Sequence, residues 1–470
     1  MSFAVVDDAP CPGVRQDAAW LDAHWMPFTG NRQFKAQPRM IVGGQGAYYT
    51  DATGRKIFDG LSGLWCCGLG HGRREIAEAI GRAANTLDYA PAFQFGHPAS
   101  FELANRIKAL TPAGLDHVFF TSSGSEAADT ALKIARAYWR AKGLASKTRL
   151  IGREKGYHGV NFGGISVGGM VGNRKAFGQG LEVDHLPHTQ PPAGSFFRGM
   201  PNTDGPALAD RLLDLIALHD ASNIAAVIVE PFSGSAGVVV PPAGYLQRLR
   251  DICTQHQILL IFDEVITGFG RCGGWTGAEV FGVTPDILNF AKQVTNGAQP
   301  LGGCIVQSEI YDRFLATGGP EYMLEFAHGY TYSAHPVACA AGIATLDIYR
   351  DEGLLTRAAE LMALNPARHF RIDHVKGALA VGREIAQRSA AGNIDLIEEE
   401  NAVGVHRICH GGKKRRLVGV GREEHLQGLI AHIDARQHHD SDDEACQLAQ
   451  SAGRAGIRAW SIHHKRSPFR

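Results

Sequence analysis

The amino-acid sequence predicts an α/β fold in which a mostly parallel sheet is flanked by helices. Two observations carry the prediction. Ala225 to Glu230 (AAVIVE) and Ile258 to Glu264 (ILLIFDE) are near-continuous apolar runs, as strands are when both faces of a parallel sheet are covered. Between them, GYLQRLRDICTQHQ places Leu246, Leu249, Ile252 and Cys253 at helical spacing, so one stripe of a helix packs on the sheet in a strand, helix, strand unit. Both runs end in acid, which puts Glu230 and Asp263 at the carboxyl edge of the sheet, where open α/β folds bind ligands.

Earlier in the chain, DHVFF predicts a strand that runs through a small-residue loop into a helix, TSSGSEAADTALKIARAYWR. Leu132, Ala135 and Trp139 form the apolar stripe of that helix, and Asp129 and Lys133 share the opposite face at i,i+4 spacing. The loop Ser122-Ser123-Gly124-Ser125 opens a helix N-terminus, where free N–H groups and the helix dipole favour a phosphate. An ordinary Ser-capped first turn, with Glu126 against the dipole, explains the same residues. GREKGYHG follows the apolar end of TRLIG and sets Tyr157 and His158 on a Gly-flanked loop, where an aromatic face suits stacking on a ring. A partly buried loop tyrosine is the plainer account. PDILNFAKQVTNGAQPLGG places Lys292 between a buried-strand pattern and an Asn-Gly turn. In HGYTYSAHPVACAAGIATLDIYR, Thr331 and Ser333 precede a helix with Pro336 in its first turn, a position that tolerates proline; the hydroxyls there serve a phosphate or a cap.

Composition narrows the function. Lys plus Arg and Asp plus Glu number 47 each in the 470 residues, so net charge argues for neither nucleic acid nor an anionic membrane as partner, and a small-molecule substrate is the default. Nine cysteines, two of them the adjacent Cys66 and Cys67 and none in a C-x-x-C pair, suit neither a disulfide framework nor zinc, and no metal site is expected. No run approaches the ~20 apolar residues of a membrane span, and MSFAVVDDAPCPGVRQD lacks a basic start and a long apolar core. A soluble cytoplasmic protein is expected.

Lys292 follows Asp263 by 29 residues, and the pair reads as a pyridoxal phosphate (PLP) site. This cofactor needs an amine for its aldehyde, uncharged at the moment of attack and so desolvated. It also needs a carboxylate facing the pyridine nitrogen, so that the protonated ring accepts electrons. Either residue alone is more often a solvated lysine or a turn aspartate.

With LDAHWMPFT, LSGLWCCGLGHG, TSSGSEAADTALKIARAYW, GREKGYHGVNFGG, FDEVITGFGR, AKQVTNGAQPLG and HGYTYSAHP in this order between about Trp20 and Glu360, the chain resembles the class III, or ω-amino acid, aminotransferases of PLP fold type I. It is most like those that act on β-alanine and pyruvate. The resemblance implies a large PLP-binding domain over residues 71–333, an N-terminal segment 1–70 that contributes to the pocket, and a smaller α+β domain over 334–470. It implies Lys292 as the Schiff-base lysine and catalytic base and Asp263 on the pyridine nitrogen. The other cofactor contacts are Ser123, Gly124 and Ser125 at the phosphate, Tyr157 stacked on the ring with His158 beside it, Glu230 at the sheet edge, and Val265 on the opposite ring face. Thr331 is expected to reach the phosphate of a neighbouring subunit in a homodimer or dimer of dimers. Phe28 and Trp65 match positions lining the substrate pocket, although a core tryptophan also explains Trp65. Cys272 stands where the family usually has threonine, with little consequence expected. The implied activity is ping-pong transamination of an ω-amino acid or amine with pyruvate. Its rivals are a decarboxylase or aminomutase using the same lysine and aspartate, or a non-catalytic cofactor binder.

The shared motifs stop near Met362, and the composition shifts with them. Ten of the 21 histidines follow, from His369 to His464, and the apolar content is poor for offsetting chain entropy. In the family this region supplies an arginine for the substrate carboxylate. Arg407, Arg415 and Arg416 qualify by type, but no local pattern selects any of them. Residues 362–470 are therefore atypical, consistent with disorder or an altered reading frame.

Overall fold

The computed structural model describes residues 18–190 and 204–357, together with the backbone of 397–400, 405–410 and 413–418. The chain divides into two units, Met1–Gly392 and Asn393–Arg470. In the second, β11 (Ile397–Glu400), β12 (Val405–His410) and β13 (Lys413–Val418) pair antiparallel in that order. The side chains of Arg407, Arg415, Arg416 and the ten late histidines lie outside the described residues.

The first unit begins with an antiparallel meander, β1 (Ile41–Gln45), β2 (Tyr48–Asp51) and β3 (Lys56–Phe58). Its main sheet contains β4 (Leu115–Thr121), β5 (Arg149–Arg153), β6 (Val183–Leu186), β7 (Ile224–Val229), β8 (Leu259–Asp263), β9 (Ile287–Phe290) and β10 (Gly302–Gln307). The order is β4-β10-β9-β8-β7-β5-β6, parallel except for β10, which runs antiparallel to both its neighbours. The two apolar runs are thus β7 and β8, paired parallel from Ala226–Leu259 to Val229–Phe262. The predicted intervening helix is Tyr245–Gln255.

Every residue of β7 and β8 is buried because alternate side chains feed different cores. On one face Val227, Val229, Leu260 and Phe262 meet Leu246, Leu249, Ile252 and Cys253 of that helix. On the other, Ala226, Ile228 and Ile261 meet Leu132, Ala135 and Trp139 of the helix Gly124–Ala141. Each fully buried aliphatic side chain contributes roughly 1.5–3 kcal/mol, so the two cores clamp the sheet from both sides. Asp129 makes no ion pair with Lys133 but accepts the N–H of Gly164 at 2.9 Å, because the helix Phe162–Val167 packs on that side and supplies a nearer donor.

Candidate active site

Five parallel strands deliver their carboxyl ends to one place. Ser122–Ser125 follow β4, Tyr157 and His158 follow β5, Glu230 follows β7, Asp263 ends β8 and Lys292 follows β9. Together with Val265, Cys66, Gly159, Thr295, Gln299 and Leu301 they line a cavity of about 300 Å³, within the range of small-molecule sites.

Asp263 is 5 % exposed and His158 1 %. Nδ1 of His158 lies 2.8 Å from Oδ2 of Asp263; since a carboxylate only accepts, Nδ1 carries the proton. Oδ1 accepts the N–H of Val265 at 3.2 Å. The carboxylate is therefore oriented from both sides by protein donors. Glu230 is also buried, but its oxygens face backbone: Oε1 accepts the Tyr157 N–H at 3.1 Å and Oε2 the Gly234 N–H at 2.9 Å. Burial pushes its pKa up, against the charges of His158 and Arg153. Glu230 thus anchors the loop that carries Tyr157.

Lys292 is half-buried at the start of a tight turn, with left-handed backbone at φ 51°. Burial lowers its pKa, while Asp263, Cys66 and Glu230 pull the other way. It forms no ion pair among the described residues. With Asp263 held by His158 and Val265, lysine and aspartate stand apart in one cavity, an arrangement that fits a flat aromatic cofactor between them.

Both readings of the Ser-Gly-Ser loop hold. Ser123 is an N-cap, its Oγ accepting the Glu126 N–H at 3.2 Å, and Glu126 reaches back to the Ser122 N–H at 2.7 Å, much like a capping box. That leaves the N–H groups of Gly124 and Ser125 without partners among the described residues, pointing the positive end of an 18-residue helix at the cavity. The Oγ of Ser125 accepts the Val160 N–H at 3.1 Å, tying this loop to the one bearing Tyr157. Gly159 has φ 92°, and a Cβ there would overlap Ser125, so only glycine joins the two loops without strain.

The single chain leaves three anticipated residues off the cavity wall. Thr331 is exposed, its carbonyl accepting the Tyr89 hydroxyl at 2.9 Å. Phe28 is 87 % exposed. Trp65 is half-buried, its ring under the Arg271 guanidinium at 5.3 Å and its carbonyl accepting from Arg271 Nη2 at 3.1 Å. Sequence reasoning missed Gly159, Cys66 and Gln299 as wall residues, although all three sit in quoted motifs.

A lysine and an oriented carboxylate beside a helix amino terminus define a PLP-dependent enzyme of the α/β type. The chain belongs to the class-III aminotransferases, whose family model matches residues 29–415. That match extends past the last shared motif near residue 360 and takes in Arg407 and Arg415. The chain is 64% identical over 350 residues to a β-alanine–pyruvate aminotransferase of Pseudomonas aeruginosa, covering 74% of this chain and 77% of the relative. It is 60% identical over 361 residues to an ω-amino acid–pyruvate aminotransferase of Pseudomonas putida, covering 76% and 79%. Among solved structures, it resembles a PLP-bound amine transaminase from an uncultivated Pseudomonas species at TM-score 0.67 and 40% identity, covering 73% of this chain and 77% of that one. Among the described residues, no helix is long and apolar enough to cross a membrane.

Proposed function

We propose that this protein moves the amino group of an ω-amino acid such as β-alanine, or of a simple amine, to pyruvate in two half-reactions. The observation that carries the reading is the meeting of Lys292 and Asp263, both withdrawn from solvent, at one parallel sheet edge. The substrates named for the Pseudomonas relatives support the choice of amine and keto acid.

PLP, when bound, supplies an electron sink conjugated to the substrate carbon. Lys292 holds it covalently through Nζ, and desolvation keeps that amine nearer its uncharged form. When not holding the cofactor, Nζ would be the general base that takes the proton from the substrate carbon and returns one. Asp263 would keep the proton on the ring nitrogen, its own orientation held by His158 and Val265. Tyr157 and Val265 would cover the cofactor ring, and Glu230 fixes the Tyr157 loop. Gly124 and Ser125 present amides to the phosphate, with Ser123 setting the helix start.

Thr331, exposed in the single chain, serves the phosphate of a second copy in a homodimer. Phe93, Phe95, Tyr322, Leu324 and Tyr332, each at least half exposed, give such a copy apolar surface to cover. Phe28 and Trp65 border the substrate side, and the enzyme works in the cytoplasm.

The test is spectroscopic. Purified protein is given PLP, then β-alanine, then pyruvate, with products quantified. A visible band that bleaches with the amine and returns with the keto acid, with L-alanine formed one for one, is expected. Release of carbon dioxide, or a band that ignores β-alanine, overturns the proposal.

A further inference from the structure

Arg153 ends β5 and is 1 % exposed. Nη2 donates to the Glu230 carbonyl at 2.8 Å and to the Ser233 hydroxyl at 2.7 Å, and the guanidinium lies over the Tyr245 ring at 5.8 Å. The side chain thus clasps the end of β7 from the neighbouring parallel strand. Its own carbonyl accepts the Gly156 N–H at 2.9 Å, at the start of the loop to Tyr157. Arg153 forms no ion pair among the described residues, unlike Arg149 at the other end of the same strand, which meets Asp184 at 2.7 Å. A buried guanidinium with no carboxylate in contact is costly. Hydrogen bonds to one carbonyl and one hydroxyl do not require a charge, so the clasp alone does not account for an arginine here.

The charge has its use at the Glu230 carboxylate. Oε1 and Oε2 each accept a backbone N–H, from Tyr157 and from Gly234, and in a protonated carboxyl the oxygen that carries the hydrogen is a poor acceptor. The charged and titratable groups that face Glu230 are Arg153 from β5, His158 from the following loop, Asp263 from β8 and Lys292 from the turn after β9. Burial, helped by Asp263, favours the protonated form, and His158 and Arg153 oppose it. His158 is engaged with Asp263 through Nδ1, and burial draws Lys292 toward its neutral form. Arg153 is the cation fastened to the Glu230 backbone itself, with its field carried through a poorly screened interior. We infer that Arg153 is a positioning residue for the cofactor loop, its buried charge keeping Glu230 ionised so that both carboxylate oxygens stay on the N–H groups of Tyr157 and Gly234. The assignment rests on the PLP role proposed for Tyr157 and deepens it.

The experiment uses the full chain, with and without PLP, and three variants: R153Q, which keeps N–H donors without the charge, R153K, which keeps the charge, and R153Q/E230Q, which has no carboxylate left to titrate at that place. Amide hydrogen exchange at Tyr157 and Gly234 is followed from pH 5 to 9 and corrected for intrinsic exchange. PLP is titrated calorimetrically over the same range, as a variant-to-parent ratio. Without the nearby cation Glu230 keeps its proton to higher pH. R153Q should therefore lose protection at both amides, and about 10-fold in PLP affinity, at a pH where the parent retains them, and regain both as pH rises; 10-fold is about the worth of one hydrogen bond to a charged group. R153K should follow the parent, and R153Q/E230Q should show no such pH dependence. A loss in R153Q that is the same at every pH, or that persists with its pH dependence in R153Q/E230Q, overturns the assignment and leaves Arg153 a brace between β5 and β7. If R153Q fails to fold while R153Q/E230Q folds, the charge coupling is supported; failure of both overturns it. If the unaltered protein binds no PLP, the cofactor reading fails instead, and amide exchange in the unliganded chain then decides for or against Arg153.

Discussion

Glu264, the residue after Asp263, offers a test of the site's foundations that needs no substrate. It is fully buried. Oε1 accepts the Ala278 N–H at 2.7 Å and Oε2 accepts the Thr267 hydroxyl at 2.9 Å, with the Gly277 N–H also on Oε2. It thereby ties the end of β8 to the helix Gly277–Phe281. Burial pushes its pKa up from 4.5 to about 7, outweighing those three donors. Between these two values the folded protein holds a proton that the unfolded chain has lost, so stability falls as pH rises from 4.5 to 7 and levels off above. At 1.36 kcal/mol per unit the swing is about 3 kcal/mol. Glu264→Gln removes the titration but turns an NH2 toward a backbone donor, at a fixed cost of about 1–3 kcal/mol. Urea denaturation of both proteins from pH 5 to 8, at one protein concentration because association adds to stability, should show the variant gaining on the parent as pH rises. Parallel curves, or a parent that gains instead, would refute the claim that burial outweighs the three donors.

Lys292→Ala should lose the cofactor on dialysis and lower turnover by at least ~10³-fold, as read by absorbance and alanine formation. Asp263→Asn should weaken cofactor retention by about 1.5–3 kcal/mol, the worth of a charged hydrogen bond; equilibrium dialysis measures it, and unchanged retention counts against the pyridine contact. Gly159→Ala should weaken PLP and inorganic phosphate together, because a Cβ at φ 92° displaces Ser125; calorimetry with each ligand checks this. Lys147, buried over Trp139 and donating to the carbonyls of Ala221, Ile224 and Gln257, has its pKa lowered to about 8 by burial. From pH 8 to 10.5 the unfolded chain binds more protons than the folded one, so stability should rise with pH there, and Lys147→Met should abolish that rise in urea midpoints.

Much of the site was legible because chemistry and position coincided in single runs of residues. ILLIFDE announces a buried parallel strand by its apolar continuity and a functional carboxylate by its ending, and FAKQVTNG places the lysine after the neighbouring strand. What the sequence concealed was direction and side-chain reach. Nothing in GGCIVQ says that β10 runs against its neighbours, since an antiparallel strand buried on both faces carries the same apolar run. The helical wheel set Asp129 beside Lys133, but a backbone donor 35 residues away claimed it. Trp65 was read as pocket lining or core; it packs against the cluster of Phe232, Val238 and Ile266, and what the sequence concealed was its cation–π contact with Arg271, 206 positions away. Gly159 was visible as a loop glycine, but its reason, contact with Ser125, exists only after both loops are folded.

The grip of His158 and Val265 on Asp263 has a consequence for turnover. On the role proposed for Lys292, each half-reaction would liberate an amine in a cavity that also contains an aspartate and a glutamate, and a mobile carboxylate would capture the resulting ammonium. Such an internal ion pair would be an off-cycle trap, stable in proportion to its own desolvation and silent in any absorption measurement. Each Asp263 oxygen already accepts one protein hydrogen bond and each Glu230 oxygen one from the backbone, so an amine freed at Lys292 would have to compete with those donors for either carboxylate, which weakens the trap.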